Sequence, residues 1–123
     1  MTPYYVTSLQ MSRKLKEAGI PQESEFYHWK DREENNWIIA HRSEIEMALQ
    51  YPEVWEEKGY CSAFLTDELF DYVYRNTKKD FWIYHNAGLY IVQSGQHDKT
   101  WEADTLPNVL AAMVLYLKKE GSI

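Results

Sequence analysis

The stretch that decides the fold class is Phe81-Trp82-Ile83-Tyr84-His85-Asn86-Ala87-Gly88-Leu89-Tyr90-Ile91-Val92-Gln93. Its two halves, residues 81–85 and 89–93, are rich in aromatic and β-branched residues, which favour strands. The three residues between them end in Gly88, a pattern typical of a loop with a type I turn followed by a left-handed residue. The sequence therefore predicts an antiparallel hairpin, and we expect residues 99–103 to add a third strand.

Both faces of this predicted hairpin are apolar. Successive side chains of a strand point to opposite faces. The residues expected to face the helices are Phe81, Ile83, Leu89 and Ile91. The residues expected on the opposite face are Trp82, Tyr84, Tyr90 and Val92.

A strand predicted over residues 23–30 would extend that second face with Tyr27 and Trp29. We therefore predict an exposed patch that contains these two residues together with Trp82, Tyr84, Tyr90 and Val92. Exposed apolar patches of this kind mark interaction surfaces. In the alternatives, a loop or residues 52–58 cover this face, or the rings only stabilise the sheet through cross-strand pairs.

Capping residues and apolar spacing predict the helices. The first follows the capping box of residues 7–10 and ends at Gly19, and a later one is capped by Thr66. The last, beginning near residue 105, has a full apolar stripe and ends at Gly121. A capping box over residues 43–46 predicts a further short helix with Ile45, Ala48 and Leu49 as its apolar side.

These elements predict the fold class. Residues 37–41 are predicted to form a short strand that can pair with the strand over 23–30 as a hairpin, so both predicted hairpins are local. Local hairpins favour antiparallel sheets. We therefore expect a single domain over residues 1–123 with an α+β fold, a small antiparallel sheet with three to four helices packed mainly on one face.

The charge is acidic and uneven. The chain has 123 residues with 13 basic and 19 acidic side chains, a formal net charge of −6. The acidic region, within residues 43–74, contains Glu44, Glu46, Glu53, Glu56, Glu57, Asp67, Glu68 and Asp71. Because nucleic acids attract basic surfaces, the acidic charge argues against a nucleic-acid partner for this region. The ordinary interpretation is a solvated helical face, and the alternative is a surface for a basic protein.

The chain lacks the sequence features of several classes of function. The single Cys61 excludes an intramolecular disulfide and a Cys-pair zinc site, and it is expected to be structural, with a pKa raised by its acidic surroundings. No pair of histidines has a metal-ligand spacing, and no catalytic or phosphate-binding motif is present. We therefore predict no metal, cofactor or catalytic residue. The chain starts without the features of a signal peptide and has no membrane-spanning stretch, which predicts a cytoplasmic protein with no membrane partner.

Two segments have a distinctive sequence: residues 7–27, Thr-Ser-Leu-Gln-Met-Ser-Arg-Lys-Leu-Lys-Glu-Ala-Gly-Ile-Pro-Gln-Glu-Ser-Glu-Phe-Tyr, and residues 101–117, which begin Trp-Glu-Ala-Asp-Thr-Leu-Pro. Together they resemble a family of small proteins found in phages and prophage-like regions of gut bacteria. Residues 63–69 are also similar, whereas residues 31–60 are not. The resemblance implies a phage-associated protein and brings no catalytic motif with it.

The leading hypothesis is a non-enzymatic protein-interaction module that uses the aromatic sheet face or the acidic region. Its partner would be another protein or a second copy, as a homodimer. One alternative is a small enzyme with a pocket histidine such as His28 or His85. Others are an acidic DNA mimic that acts as a decoy toward a host nuclease, and a protein that stacks single-stranded nucleic acid on its rings.

Overall fold

The computed structural model describes residues 5–30, 36–46, 50, 60–77, 80–95 and 99–123. Within them the α-helices are α1 (Leu9–Glu17), α2 (Thr66–Asn76) and α3 (Leu106–Lys119). The strands are β1 (Phe26–Lys30), β2 (Trp37–His41), β3 (Tyr60–Ala63), β4 (Phe81–Asn86), β5 (Leu89–Ser94) and β6 (Lys99–Ala103). All strand pairs are antiparallel, which together with the helices confirms the α+β class.

The strands form two three-stranded sheets rather than the one sheet predicted. The first has the order β2-β1-β3 and the second the order β4-β5-β6. Both predicted hairpins are present, and residues 99–103 form the expected third strand of the second sheet. The strand pattern identified five of the six described strands, but it carries no information on which distant strands pair. Among the described strands, β2 and β3 are the edges of the first sheet, and β4 and β6 are the edges of the second.

The ends of α1 and α3 follow the predicted glycines. Gly19 has φ +84°, and the Ile20 N–H donates to the Leu15 carbonyl at 3.1 Å. Gly121 has φ +75° at the end of α3. A left-handed residue just past the last turn lets the chain satisfy the final carbonyls, and glycine adopts it without a steric penalty. Both helix ends were therefore predictable from the sequence.

The start of α2 lies one residue from the prediction. Leu65, and not Thr66, is the N-cap residue, so Thr66 is already helical. The Glu68 carboxylate accepts the Leu65 N–H at 2.8 Å, as the third residue of a capping box does. A side chain from inside the first turn thus replaces the cap that the Thr66 hydroxyl was expected to provide.

The short helix predicted from Ser43 is described only at its start. Arg42–Glu44 form one 3₁₀ turn, in which the Glu44 carboxylate accepts the His41 N–H at 3.1 Å. The cap of this 3₁₀ turn is therefore His41. The residues 47–49 and 51–59 lie outside the described part of the chain, and they include Ala48, Leu49 and residues 52–58, the alternative cover of the sheet face. The described part contains three α-helices, and they do not all lie on one face of one sheet.

The larger core lies between the three helices and the second sheet. Its fully buried members include Leu15 of α1, Leu69 of α2, and Leu110 and Met113 of α3. Helix α3 contacts both other helices as well as β5 and β6, and α1 also contacts β3. The helices therefore connect the two sheets, and α3 covers one face of the second sheet.

Helix α3 is the longest described helix, with 14 residues. At 1.5 Å per residue it is about 21 Å long, whereas the apolar layer of a bilayer is about 30 Å thick. Neither it nor another helix in the described part of the chain has the length and apolar character to cross a membrane.

Candidate functional site

The register of the β4–β5 hairpin determines which side chains share a face. Ile83 lies opposite Val92, and Tyr84 lies opposite Ile91. Opposite residues of an antiparallel pair point to the same side. The inner face, which packs against α2 and α3, contains Phe81, Ile83, Tyr90, Val92, Trp101 and Ala103. The outer face contains Trp82, Tyr84, Leu89 and Ile91.

The outer face is exposed to solvent except at Ile91. Trp82 is 56% exposed, Tyr84 46% and Leu89 36%, whereas Ile91, on the central strand, is buried opposite Tyr84. These four residues form one apolar surface, which we call the open face. The predicted exposure of Trp82 and Tyr84 is therefore confirmed.

The ring of Trp82 lies against Gly95. A Cβ atom added to Gly95 would lie 2.9 Å from the ring carbons Cζ3 and Cη2, closer than a real Cβ atom approaches another atom. The Gly95 N–H donates to the Asp80 carbonyl at 3.2 Å. The glycine thus leaves the space that lets the indole lie along the sheet, where its other side faces solvent.

The predicted placement of Tyr90 and Val92 on the exposed face is wrong. Val92 is fully buried, and Tyr90 is half-buried against the larger core. Both point toward the helices. The residues Tyr90 and Val92 lie on the inner face, and Leu89 and Ile91, which were expected there, lie on the outer face.

The length of the turn explains this exchange. Asn86 pairs with Leu89, so the loop consists of Ala87 and Gly88 alone. Their φ angles are +53° and +81°, and two positive φ angles are the mark of a type I′ turn, whose twist matches that of the strands. A loop shorter by one residue shifts the pairing by one, which exchanges the faces of every residue in β5.

Tyr27 and Trp29 do not extend the open face, so this part of the prediction is also wrong. They lie on β1, in the other sheet. Tyr27 is buried and forms a small core with Ala40 and Ile45, on which Trp29 packs half-buried. Their side chains stabilise the first sheet.

The two edges of the second sheet differ in charge. Strand β4, Phe81–Asn86, has no charged residue and no proline. Among the described strands it pairs with β5 alone, so it is an edge strand. The opposite edge, β6, carries Lys99 and Glu102. Charges on an edge strand discourage pairing with another chain. The β4 edge therefore lacks the charged residues that discourage another chain from pairing with the β6 edge.

The acidic region divides into exposed, structural and undescribed residues. Exposed carboxylates are those of Glu44, Glu46, Asp67 and Asp71, and the residues outside the described part are Glu53, Glu56 and Glu57. Glu68 is structural, because its carboxylate accepts the N–H groups of Leu65 at 2.8 Å and Glu25 at 2.9 Å. Burial raises the pKa of Glu68 above its ordinary value, more than these hydrogen bonds lower it. Glu68 therefore holds α2 to the segment before β1.

Cys61 lies directly opposite His28 in the β1–β3 pair, and both are buried. The His28 ring donates from Nε2 to the Thr7 carbonyl at 2.8 Å, and burial lowers its pKa. Burial raises the pKa of the Cys61 thiol to about 11, although Lys16 and Arg13 lower it. The predicted direction for Cys61 is thus right, but the cause is burial and not acidic neighbours. A neutral thiol beside an imidazole bound to a carbonyl is not an activated nucleophile.

The other residues that catalysis could use do not converge on one site in the described part of the chain. His85 is exposed at the end of β4, with its ring 4.7 Å from that of Tyr90. A cleft of about 460 Å³ beside α2 contains Asp71 and Arg75, but these two pair with each other at 3.1 Å. No group of three or more potential metal ligands occurs among the residues that the structure describes.

Comparisons of the chain with family models, with curated proteins and with solved structures find no match. The resemblance to phage and prophage proteins therefore stays a prediction. What the structure defines is an α+β protein with an open aromatic sheet face beside an uncharged edge strand.

Sequence reasoning missed Leu89 and Ile91 as members of the open face. The signal that could have found them is the dipeptide Ala87-Gly88, because a two-residue turn with glycine second is a common hairpin connection. The choice between a two-residue and a three-residue loop decides the face of each of these side chains.

Proposed function

We propose that this protein is a non-enzymatic interaction module that associates with a second copy of itself through β4 and the open face. The observation that carries the proposal is the combination of exposed rings, Trp82 and Tyr84, with an edge strand that has no charge. An exposed apolar edge strand is a template for pairing with another chain. Its setting, the cytoplasm and an association with phages, is proposed on the sequence alone.

The rings supply a source of affinity. Aromatic side chains bury large areas and dominate the energetics of interfaces. Trp82 lies against Gly95 and Tyr84 lies beside Ile91, so both rings stand on a sheet surface before a partner arrives. Groups that are already positioned lose less conformational entropy on binding.

The geometry of β4 favours an antiparallel pair with two-fold symmetry. When the β4 strands of two copies pair with their open faces on the same side of the joined sheet, residues opposite each other must belong to the same face. A pairing centred on Ile83 meets this condition and places Trp82 of one copy opposite Tyr84 of the other. The two open faces then form one continuous aromatic surface, and aromatic cross-strand pairs stabilise sheets.

The acidic region supports the proposal less directly. Asp67 and Asp71 are exposed on α2, whose buried side packs on the larger core. Their charge would steer a basic partner at a distance, but it does not touch the open face. No contact of the described residues favours the enzyme or the DNA mimic over association.

The test compares Trp82→Ala/Tyr84→Ala with the wild type by sedimentation velocity over a wide range of concentrations. We expect the wild type to show a monomer–dimer equilibrium. Since two interface rings are lost, the variant should have a dissociation constant about tenfold or more higher. Its far-UV circular dichroism should stay unchanged, because both side chains are exposed.

The matched control is Tyr74→Ala, which removes a ring that is 83% exposed on α2. It should leave the dissociation constant unchanged. Hydrogen exchange tests whether β4 is the strand that pairs, because edge pairing should slow the exchange of β4 amides as the protein concentration rises. A wild type that stays monomeric at every concentration would rule out self-association.

A further inference from the structure

A second site lies where α1 meets the first sheet. It is a cleft of about 260 Å³ lined by Arg13, Lys16, Glu17, Trp37, Tyr60 and Cys61. Trp37 belongs to β2, and Tyr60 and Cys61 belong to β3. Two cations and two aromatic rings therefore converge on one small space.

Both cations are held in place by the rings. Residues three apart on a helix lie on the same side, so Arg13 and Lys16 project together from α1. The guanidinium carbon of Arg13 is 4.7 Å from the centre of the Trp37 ring. Lys16 Nζ is 4.5 Å from the centre of the Tyr60 ring and donates to the Tyr60 carbonyl at 2.6 Å. Stacking on a ring face orients a cation without neutralising its charge.

The positive charge of the cleft is not balanced by an ion pair within the described part of the chain. The salt bridges there are His41–Glu25 and Arg75–Asp71, and neither involves Arg13 or Lys16. Lys16 bonds a neutral carbonyl, and the thiol of Cys61 stays neutral because burial raises its pKa. Glu17 is the one carboxylate among the lining residues. The cleft therefore offers unused N–H donors that carry positive charge.

We propose that this cleft binds a phosphate group, either free or carried on a small molecule. Phosphate oxygens accept charge-assisted hydrogen bonds from guanidinium and ammonium groups, and the lining residues keep a net positive charge when Glu17 is counted against Arg13 and Lys16. The volume is below the range of roughly 300–1,000 Å³ that drug-sized ligands occupy. This size suits a small phosphate compound. The site is separate from the open face and does not depend on self-association.

The test is a titration of the ¹⁵N-labelled full chain with inorganic phosphate in a phosphate-free buffer, followed by heteronuclear NMR. We expect saturable shifts of the Trp37 indole N–H and of the α1 amides near Arg13. Because a charge-assisted hydrogen bond is lost, Arg13→Gln and Lys16→Gln should each weaken binding about tenfold or more. Arg13 is exposed, so its variant keeps the test valid if Lys16→Gln is destabilised by losing its bond to Tyr60.

The matched control is Lys14→Gln, which removes the same charge from an exposed position of α1 that does not line the cleft. It should leave the affinity nearly unchanged. A parallel titration with glycerol phosphate identifies the source of the phosphate. Tighter binding than inorganic phosphate supports a small phosphate ester that contacts the rings, and equal binding supports free phosphate. Shifts that never saturate, or a Lys14→Gln effect as large as that of Arg13→Gln, would overturn the site.

Discussion

His28 shows how a single polar residue can serve structure where the sequence suggested chemistry. It is 5% exposed, and its Nε2 donates to the Thr7 carbonyl. A buried imidazole with one nitrogen used as a donor is stable as the neutral form, and a second proton would place an unbalanced charge in the interior. Because His28 is buried in its neutral form, the free energy of unfolding depends on the pH at which this residue binds a proton.

We expect the free energy of unfolding to decrease as the pH falls below the ordinary pKa of histidine. The ordinary pKa of histidine is about 6.5, and burial lowers that of His28 in the folded protein. Between the two values the unfolded chain binds the proton that the folded protein excludes. The stabilisation is thus present above the ordinary pKa and is lost as the pH falls through the lowered one. Urea unfolding at several pH values measures this loss.

His28→Gln is the control for this prediction. Its amide keeps a donor for the Thr7 carbonyl but does not titrate in this range. We expect a smaller dependence of the free energy of unfolding on pH than in the wild type. An unchanged dependence would mean that other groups cause it.

At the scale of the element, the turn between β4 and β5 has the largest consequence. Ala87 has φ +53°, a left-handed conformation that costs a residue with a Cβ atom about 1–2 kcal/mol. The sheet compensates for this strain, because the two-residue turn buries Val92 and Tyr90 against the helices. A strained alanine therefore maintains the pairing that creates the open face.

Ala87→Asn should stabilise the protein by about 0.5–1 kcal/mol, because Asn-Gly is the preferred type I′ pair and asparagine tolerates positive φ. Ala87→Val should do the opposite, because a β-branched residue fits this conformation poorly. Denaturant unfolding of the two variants and the wild type gives the order. If the valine variant were as stable as the asparagine variant, the two-residue turn would be wrong.

At the scale of the whole molecule, α1 and α3 connect the two sheets. Helix α1 contacts β3 of the first sheet as well as α3, and α3 contacts β5 and β6 of the second sheet. Leu15 of α1 is fully buried within the larger core. The stability of each sheet is therefore coupled to the same packed helices.

Leu15→Ala should lower the free energy of unfolding by about 2–5 kcal/mol, through lost burial and the cavity it leaves. We expect circular dichroism and tryptophan fluorescence to report a single unfolding transition, shifted to lower denaturant. The exposed neighbour serves as the control, since Lys14→Ala should change stability by about 0.5 kcal/mol or less. Two separate transitions in the wild type would show that the helices do not couple the sheets.

The amino-acid sequence by itself determined the α+β class, most strands and the ends of α1 and α3. Those features depend on local physics, such as the alternation of β4 and the left-handed glycines at positions 19 and 121. Only the tertiary structure decided which sheet holds Tyr27 and whether Leu89 or Tyr90 faces solvent. The sheet that holds Tyr27 depends on contacts between distant residues. The face on which Leu89 and Tyr90 lie depends on whether the turn has two residues or three. Neighbouring side chains determine local structure, whereas strand partners and faces depend on the packing of the whole chain.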